Sequence, residues 1–191
     1  MKLQLLIVAL CLLAQSDDKP IQIGVNAPAF SLQDQAGHTV TLEANLNKLV
    51  VLEWFDPECD YTKRDVGAKT TKHVAEKYKD KPVTWLAINS TRDSTAGHNK
   101  TWAESNELPY PILDDANKAV AKQFGITTVP FYVIIDQHGK VVYTGPLDDN
   151  EDRTETNREG KINFVDRALD ELTRGKPITR QNEKPQGCPL H

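Results

Sequence analysis

Two nearly unbroken apolar runs, residues 49–55 (Leu-Val-Val-Leu-Glu-Trp-Phe) and 83–88 (Val-Thr-Trp-Leu-Ala-Ile), constrain this chain more than any other feature. A strand with one face in water alternates, so runs of this kind read as strands covered on both faces. Between them Val66, Thr70, Val74 and Tyr78 recur every four residues in a stretch otherwise rich in Lys, Asp and Glu, the pattern of an amphipathic helix. A strand, helix, strand unit follows, which places the chain in the α/β class.

The remaining elements arrange themselves around that unit. Phe30-Ser31-Leu32 and Thr39-Val40-Thr41-Leu42 flank Gln35-Ala36-Gly37-His38 and predict an N-terminal hairpin. Residues 101–108 predict a short helix stopped by Pro109-Tyr110-Pro111, and Asp114 or Asp115 caps a helix through Ala119, Val120 and Phe124 that ends at Gly125. A second hairpin turns at Asp136-Gln137-His138-Gly139. Phe164, Val165, Ala168, Leu169 and Leu172 predict a last helix ending near Gly175. Residues 148–159 read as an exposed loop and residues 176–191 as a polar tail.

The first sixteen residues have another character. Lys2 precedes an almost continuous apolar stretch that is too short to span a bilayer, and Ala14-Gln15-Ser16 offers a cleavage site, so residues 1–16 read as a signal peptide. Residues 17–175 then form one domain. The net charge of −4 becomes one unit more acidic once Lys2 is removed, which argues against nucleic acid or an anionic membrane surface as a partner. Of three cysteines, Cys11 leaves with the leader. Cys59 and Cys188 remain, and two thiols in an oxidising compartment can pair.

Cys59 lies where the first apolar run meets a polar loop and then the helix pattern. First-turn N–H groups point at such a position and favour the thiolate, the form that attacks disulfides and peroxides. Lys63 and Arg64 add positive charge, and Thr62 either donates its hydroxyl to the sulfur or caps the helix. The bland alternative for Cys59 is a buried inert thiol. For Cys188 three roles stay open: a resolving thiol, a structural disulfide partner, or a free thiol on the tail. Trp54 reads as core. His38, His73, His98 and His138 show no ligand spacing. Asn89-Ser90-Thr91 and Asn99-Lys100-Thr101 are glycosylation sequences only in a eukaryotic source.

Four stretches carry a family resemblance: Gly24-Val25-Asn26-Ala27-Pro28-Ala29-Phe30-Ser31-Leu32, the run from Val50 to Cys59, Val129-Pro130, and Asp136-Gln137-His138-Gly139-Lys140-Val141-Val142-Tyr143-Thr144-Gly145. Together with the element order they resemble the thioredoxin-like superfamily, and within it the redoxin branch of peroxiredoxin-like and exported thiol-disulfide proteins. The resemblance implies a thioredoxin-like fold, a central mixed β-sheet flanked by helices with an N-terminal hairpin extension. It also implies a cis Pro130 beside the nucleophilic sulfur.

Two departures matter. Thioredoxin-type enzymes carry C-x-x-C, and here the fourth position is Thr62. Peroxiredoxins carry Thr three residues before their reactive Cys, and here that position is Asp56, an acid that opposes a thiolate if it faces the sulfur. Asp56-Pro57-Glu58-Cys59-Asp60-Tyr61-Thr62-Lys63 and Gly187-Cys188 are most similar to a redoxin subgroup with an N-P-x-C-P-x-x-K-like turn and a Gly-Cys tail, which suggests a role of its own for Cys188. Cys188-Pro189-Leu190-His191 with Cys59 is similar to copper-handling members of the fold. Those proteins carry two thiols in the loop, so no metal is assigned.

The expectation is an exported thiol-dependent oxidoreductase. Cys59, Cys188, Thr62 and Arg64 are its candidate catalytic residues, and Val129 and Pro130 its substrate groove. It needs no cofactor, and its partner is a thiol or disulfide protein or a small peroxide, with no membrane anchor after cleavage. The alternative is a catalytically silent thioredoxin-like module that binds a partner protein or metal, with Cys59 and Cys188 permanently bridged.

Overall fold

In the computed structural model, which describes residues 20–151 and 162–191, the apolar runs sit at the centre of a seven-stranded mixed sheet. The leader read at residues 1–16 and most of the segment 148–159 fall outside the described residues. Strands β1 (Ser31–Asp34) and β2 (Thr39–Thr41) form the expected hairpin, its turn held by the Asp34 carboxylate accepting from the N–H groups of Ala36 and His38. Then follow β3 (Leu49–Phe55), α1 (Asp60–Gly67), α2 (Thr70–Lys77), β4 (Val83–Asn89), α3 (Ala96–Ser105), β5 (Ile112–Asp114) and α4 (Ala119–Gln123). The chain continues through β6 (Thr128–Val129), β7 (Phe131–Ile135), β8 (Val141–Gly145), α5 (Phe164–Thr173) and β9 (Cys188–Pro189). The sheet order is β2-β1-β5-β4-β3-β7-β8, with β3, β4 and β5 parallel and β7 antiparallel to β3.

Both faces of β3 are buried, as its composition requires. Val50, Leu52 and Trp54 pack with Leu86, Ile88 and Val133 against Val120 and Phe124 of α4, and the Trp54 and Phe124 rings lie 5.0 Å apart. Val51 and Phe55 face the other way, toward Val74 and Tyr78 around α2, Ala103 of α3, and Phe164, Val165 and Leu169 of α5.

Three local readings need correction. The four-residue periodicity from Val66 to Tyr78 belongs to two helices, because Lys69 takes a left-handed φ of 56° and ends the first one. Val74 and Tyr78 still reach the core on the second, so the spacing survives the break. The helix read at 101–108 instead spans Ala96–Ser105: the Thr95 hydroxyl accepts from the His98 N–H at its start, and Glu107, at a left-handed φ of 53°, turns the chain away before the prolines. The polar segment starting at Asp148 is not wholly exposed: Asp148 and Asn150 are buried, because the Arg64 guanidinium compensates the carboxylate. Asp115 does serve the helix it was expected to cap, its carboxylate accepting from Val120 and Ala121 N–H at 3.0 and 2.9 Å. The two glycosylation sequences are unavailable, since Asn89 and Asn99 are buried and bonded to each other.

Glu53 is the one acid inside β3. Its carboxylate accepts from Trp85 Nε1 at 2.7 Å and from the Tyr132 hydroxyl at 3.1 Å, and burial pushes it up to about 7 against the pull of those bonds and of Tyr110. A proton that the native state keeps to about pH 7 is lost by the unfolded chain near the ordinary value of 4.5. Stability from this group is therefore fully present below about pH 4.5 and falls as pH rises to 7, by roughly 3 kcal/mol. Glu53→Gln keeps an acceptor for Trp85 and removes the ionisation. Urea unfolding at a series of pH values should show that this variant gains on the parent protein across that window; parallel pH profiles would contradict the assignment.

Candidate active site

Four of the residues assigned to chemistry from the sequence, Cys59, Cys188, Val129 and Pro130, meet at the carboxyl end of β3. This is the end of a parallel strand at which α/β sheets place their ligands. The loop Asp56-Pro57-Glu58 leaves the strand, turned tightly by the Asp56 carboxylate accepting from Glu58 N–H at 2.8 Å and by Cys59 N–H donating to the Asp56 carbonyl at 3.1 Å. Asp56 thus spends one carboxylate oxygen on its own loop. Cys59 is the N-cap residue of α1, its carbonyl accepting from Lys63 N–H at 2.9 Å, and no side chain caps the helix.

Cys59 is disulfide-bonded to Cys188, with Cα atoms 5.8 Å apart across 129 residues of sequence. The Val129–Pro130 peptide bond is cis, and Cys59 Sγ lies 3.3 Å from the Val129 carbonyl oxygen. A bridged sulfur has no proton, so this is a packing contact; a reduced thiol can donate there. The two neighbours of Cys59 therefore pull in opposite directions: the carbonyl favours the thiol, and the helix start favours the thiolate.

Residues 176–191 do not hang free. They pass beside β8, where Thr144 N–H donates to the Gln181 carbonyl and Glu183 N–H to the Thr144 carbonyl. They end as β9, antiparallel to β6, with Cys188 opposite Val129 and Pro189 opposite Thr128. The cis-proline segment, the helix start and the tail strand thus enclose one sulfur, and Cys59 is only 3 % exposed. A cleft of about 940 Å³ opens beside the loop, lined by Asp56, Pro57, Glu58, Arg92, Trp102 and His191 among others.

The other two candidates occupy different ground. Thr62 sits three residues into α1, and its hydroxyl is buried without a hydrogen-bond partner, so it does not cap the helix. Arg64 is buried within a network: Nε and a terminal nitrogen reach the Asp65 carboxylate at 2.8 and 2.6 Å, Asp148 lies at 3.2 Å, and the Asn150 carbonyl accepts at 2.6 Å. Burial pushes the Asp65 carboxyl up to about 7 against the pull of that guanidinium. Lys63 pairs on the surface with Glu58 at 2.9 Å. The sequence offered Gly187-Cys188 as a Gly-Cys tail but gave Gly187 no role of its own, and its fit against Val129 comes from the fold. Among the described residues no cluster of three His, Cys, Asp or Glu groups forms a metal site, and no helix is long and apolar enough to cross a membrane.

The comparisons with known proteins agree with this geometry. The thiol-disulfide oxidoreductase ResA of Bacillus cereus is 26 % identical over 127 residues, 66 % of this chain and 71 % of that one. Chloroplastic peroxiredoxin Q of Triticum aestivum is 31 % identical over 123 residues, 61 % of this chain and 55 % of its own length. An uncharacterized conserved protein from Geobacillus kaustophilus superposes with a TM-score of 0.77 at 27 % identity, covering 88 % of this chain and 91 % of the other. The mixed sheet, flanking helices and N-terminal hairpin make the fold thioredoxin-like. With the Redoxin family model matching residues 22–162, which include the strand-to-helix cysteine and the cis-proline segment, the chain belongs to the redoxin family.

Proposed function

We propose that this protein is an exported thiol-disulfide oxidoreductase that cycles between the Cys59–Cys188 bridge and the dithiol. The observation that carries the reading is the bridge itself, joining the helix-start cysteine to a cysteine on the strand paired with the cis-proline segment. In the reducing direction, Cys59 thiolate attacks one sulfur of a substrate disulfide, forming a mixed disulfide and expelling the other sulfur as a thiolate. Cys188 thiolate then attacks Cys59 Sγ, restoring the bridge and releasing the second substrate thiol. Two electrons pass to the substrate, and an external thiol reductant returns the bridge to the dithiol.

Each candidate has a part in that cycle. The uncapped first turn of α1 holds the Cys59 thiolate. Thr62, whose hydroxyl has no partner while the bridge is closed, donates to the sulfur once it opens. Arg64 braces α1 through Asp65 and Asp148, and Val129 with Pro130 forms the groove wall. Export is supported by the apolar leader and by a redox pair suited to an oxidising compartment.

A disulfide substrate is favoured over a peroxide by the loop. The described hydrogen bonds of Asp56 and Arg64 go to Glu58, Asp65, Asp148 and Asn150, whereas peroxide cleavage needs donors aimed at the departing oxygen. Reduced protein should therefore be oxidised by a model peptide disulfide at least about a hundredfold faster than by equimolar hydrogen peroxide. Stopped-flow fluorescence with mass mapping of Cys59 measures both, and the reverse order would assign a peroxidase.

A further inference from the structure

We propose that residues 187–190 are the resident occupant of the substrate groove at β6, seated where a partner's cysteine-bearing segment lies, and that the residue before that partner cysteine must be glycine. This rests on the exchange reading above and names its substrate class.

The seated tail shows how the strand reads a ligand. Backbone pairing sets direction and register, Cys188 opposite Val129 and Pro189 opposite Thr128, and the Leu190 N–H donates to the Thr127 carbonyl at 2.9 Å. Pairing of that kind is blind to side chains, so selectivity lies in the positions pressed against the protein. Gly187 is one: its φ is +156°, and a Cβ there would overlap the Val129 carbonyl oxygen and stand 2.6 Å from its carbon. That carbonyl precedes the cis proline and touches Cys59 Sγ, so it has little room to retreat. Leu190 is another, packed against the apolar cluster that includes Val129 and Ile126. The selected pattern is glycine, cysteine, any residue, apolar residue.

What holds the tail at β6 is otherwise modest. Apart from the S–S bond, β9 contributes a two-residue pairing and one flanking hydrogen bond. Opening the bridge leaves a short strand that a similar segment can displace. With the tail seated, the cleft of about 940 Å³ beside His191 stays open and can receive residues that follow the partner's apolar position. A second copy's tail is the poorer occupant, because the protein's own tail competes at the high local concentration of a tethered segment.

The test uses the full chain carrying Cys188→Ser, with and without Gly187→Ala. Two peptides copy residues 184–191, one as it stands and one with alanine before its cysteine, each with that cysteine in a mixed disulfide with an aromatic thiol. Cys59 thiolate attacks the peptide sulfur, the new S–S bond forms, and the aromatic thiolate leaves with the electron pair of the broken bond. The glycine peptide should react at least about tenfold faster than the alanine peptide. Gly187→Ala should raise its rate further by unseating the competing tail. A small aromatic disulfide should react with both proteins and gives the rate at which Cys59 exchanges without strand pairing.

Equal peptide rates, or no gain from Gly187→Ala in a folded protein, overturn the proposal. If Gly187→Ala does not fold, the peptide ratio in Cys188→Ser alone decides. If even the small disulfide fails to react, the exchange reading falls. Fluorescence polarisation with serine analogues of the two peptides then judges docking separately: preferential binding of the glycine form supports it, and equal or absent binding overturns it.

Discussion

Cys188→Ser should convert a turning-over protein into a trap. Challenged with one equivalent of a peptide disulfide, reduced wild type should end as the intramolecular Cys59–Cys188 bridge with both peptide thiols released. The serine variant should stop at a Cys59–peptide mixed disulfide, and steady-state turnover should fall at least about tenfold, because release then waits on an external thiol. Cys59→Ser should yield neither species. The geometry makes the resolving step possible: the Cα atoms of the two cysteines are 5.8 Å apart, inside the range a disulfide spans, and β9 delivers Cys188 to the cis-proline segment. Thr62 occupies the position one helical turn on, so no other thiol is available there. Mass mapping of alkylated peptides separates the species. A serine variant that turns over at the wild-type rate would leave Cys188 without a resolving role.

Arg64→Ala should produce the largest loss of stability of any charged residue in the domain, about 3–5 kcal/mol, because it strands two buried carboxylates. Asp65 and Asp148 are 1 % and 2 % exposed, and the guanidinium lies within 3.2 Å of each. Asp148 also accepts from the Asn150 N–H, so the segment after β8 loosens together with α1. Arg64→Lys should recover only part of the loss, since one ammonium cannot fork between both carboxylates and the Asn150 carbonyl. Urea unfolding of the oxidised proteins measures the difference. A change under about 1 kcal/mol would mean the network is worth no more than a surface ion pair.

What could be read from the sequence follows from the range of each interaction. The apolar runs of β3 and β4, the turns at Gly37 and Gly139, and the Asp115 cap are written within a few neighbouring residues, and each stands where its local chemistry placed it. The break at Lys69 was hidden because the buried Thr70, Val74 and Tyr78 continue without interruption the four-residue spacing that the half-buried Val66 begins. Asp148 looked like a solvated loop because the cation that compensates it lies 84 residues away. The three roles left open for Cys188, and the glycine before it, depended on where the tail lands. That placement comes from β6 and β9 pairing and from the fit of Gly187 against Val129, which no local pattern encodes.

The central claim is that the Cys59–Cys188 bridge is a working redox couple. Its rival is a silent module in which the same bridge is a permanent staple, worth about 5 kcal/mol by closing so long a loop. Equilibration of the full chain with graded thiol buffers, read by alkylation and mass, tests this most directly. The account predicts a midpoint potential within the span of exchange-active thioredoxin-like couples, roughly −270 to −120 mV, with the dithiol form still folded. A midpoint below about −300 mV, or unfolding on reduction, would contradict it and leave the bridge as a structural link.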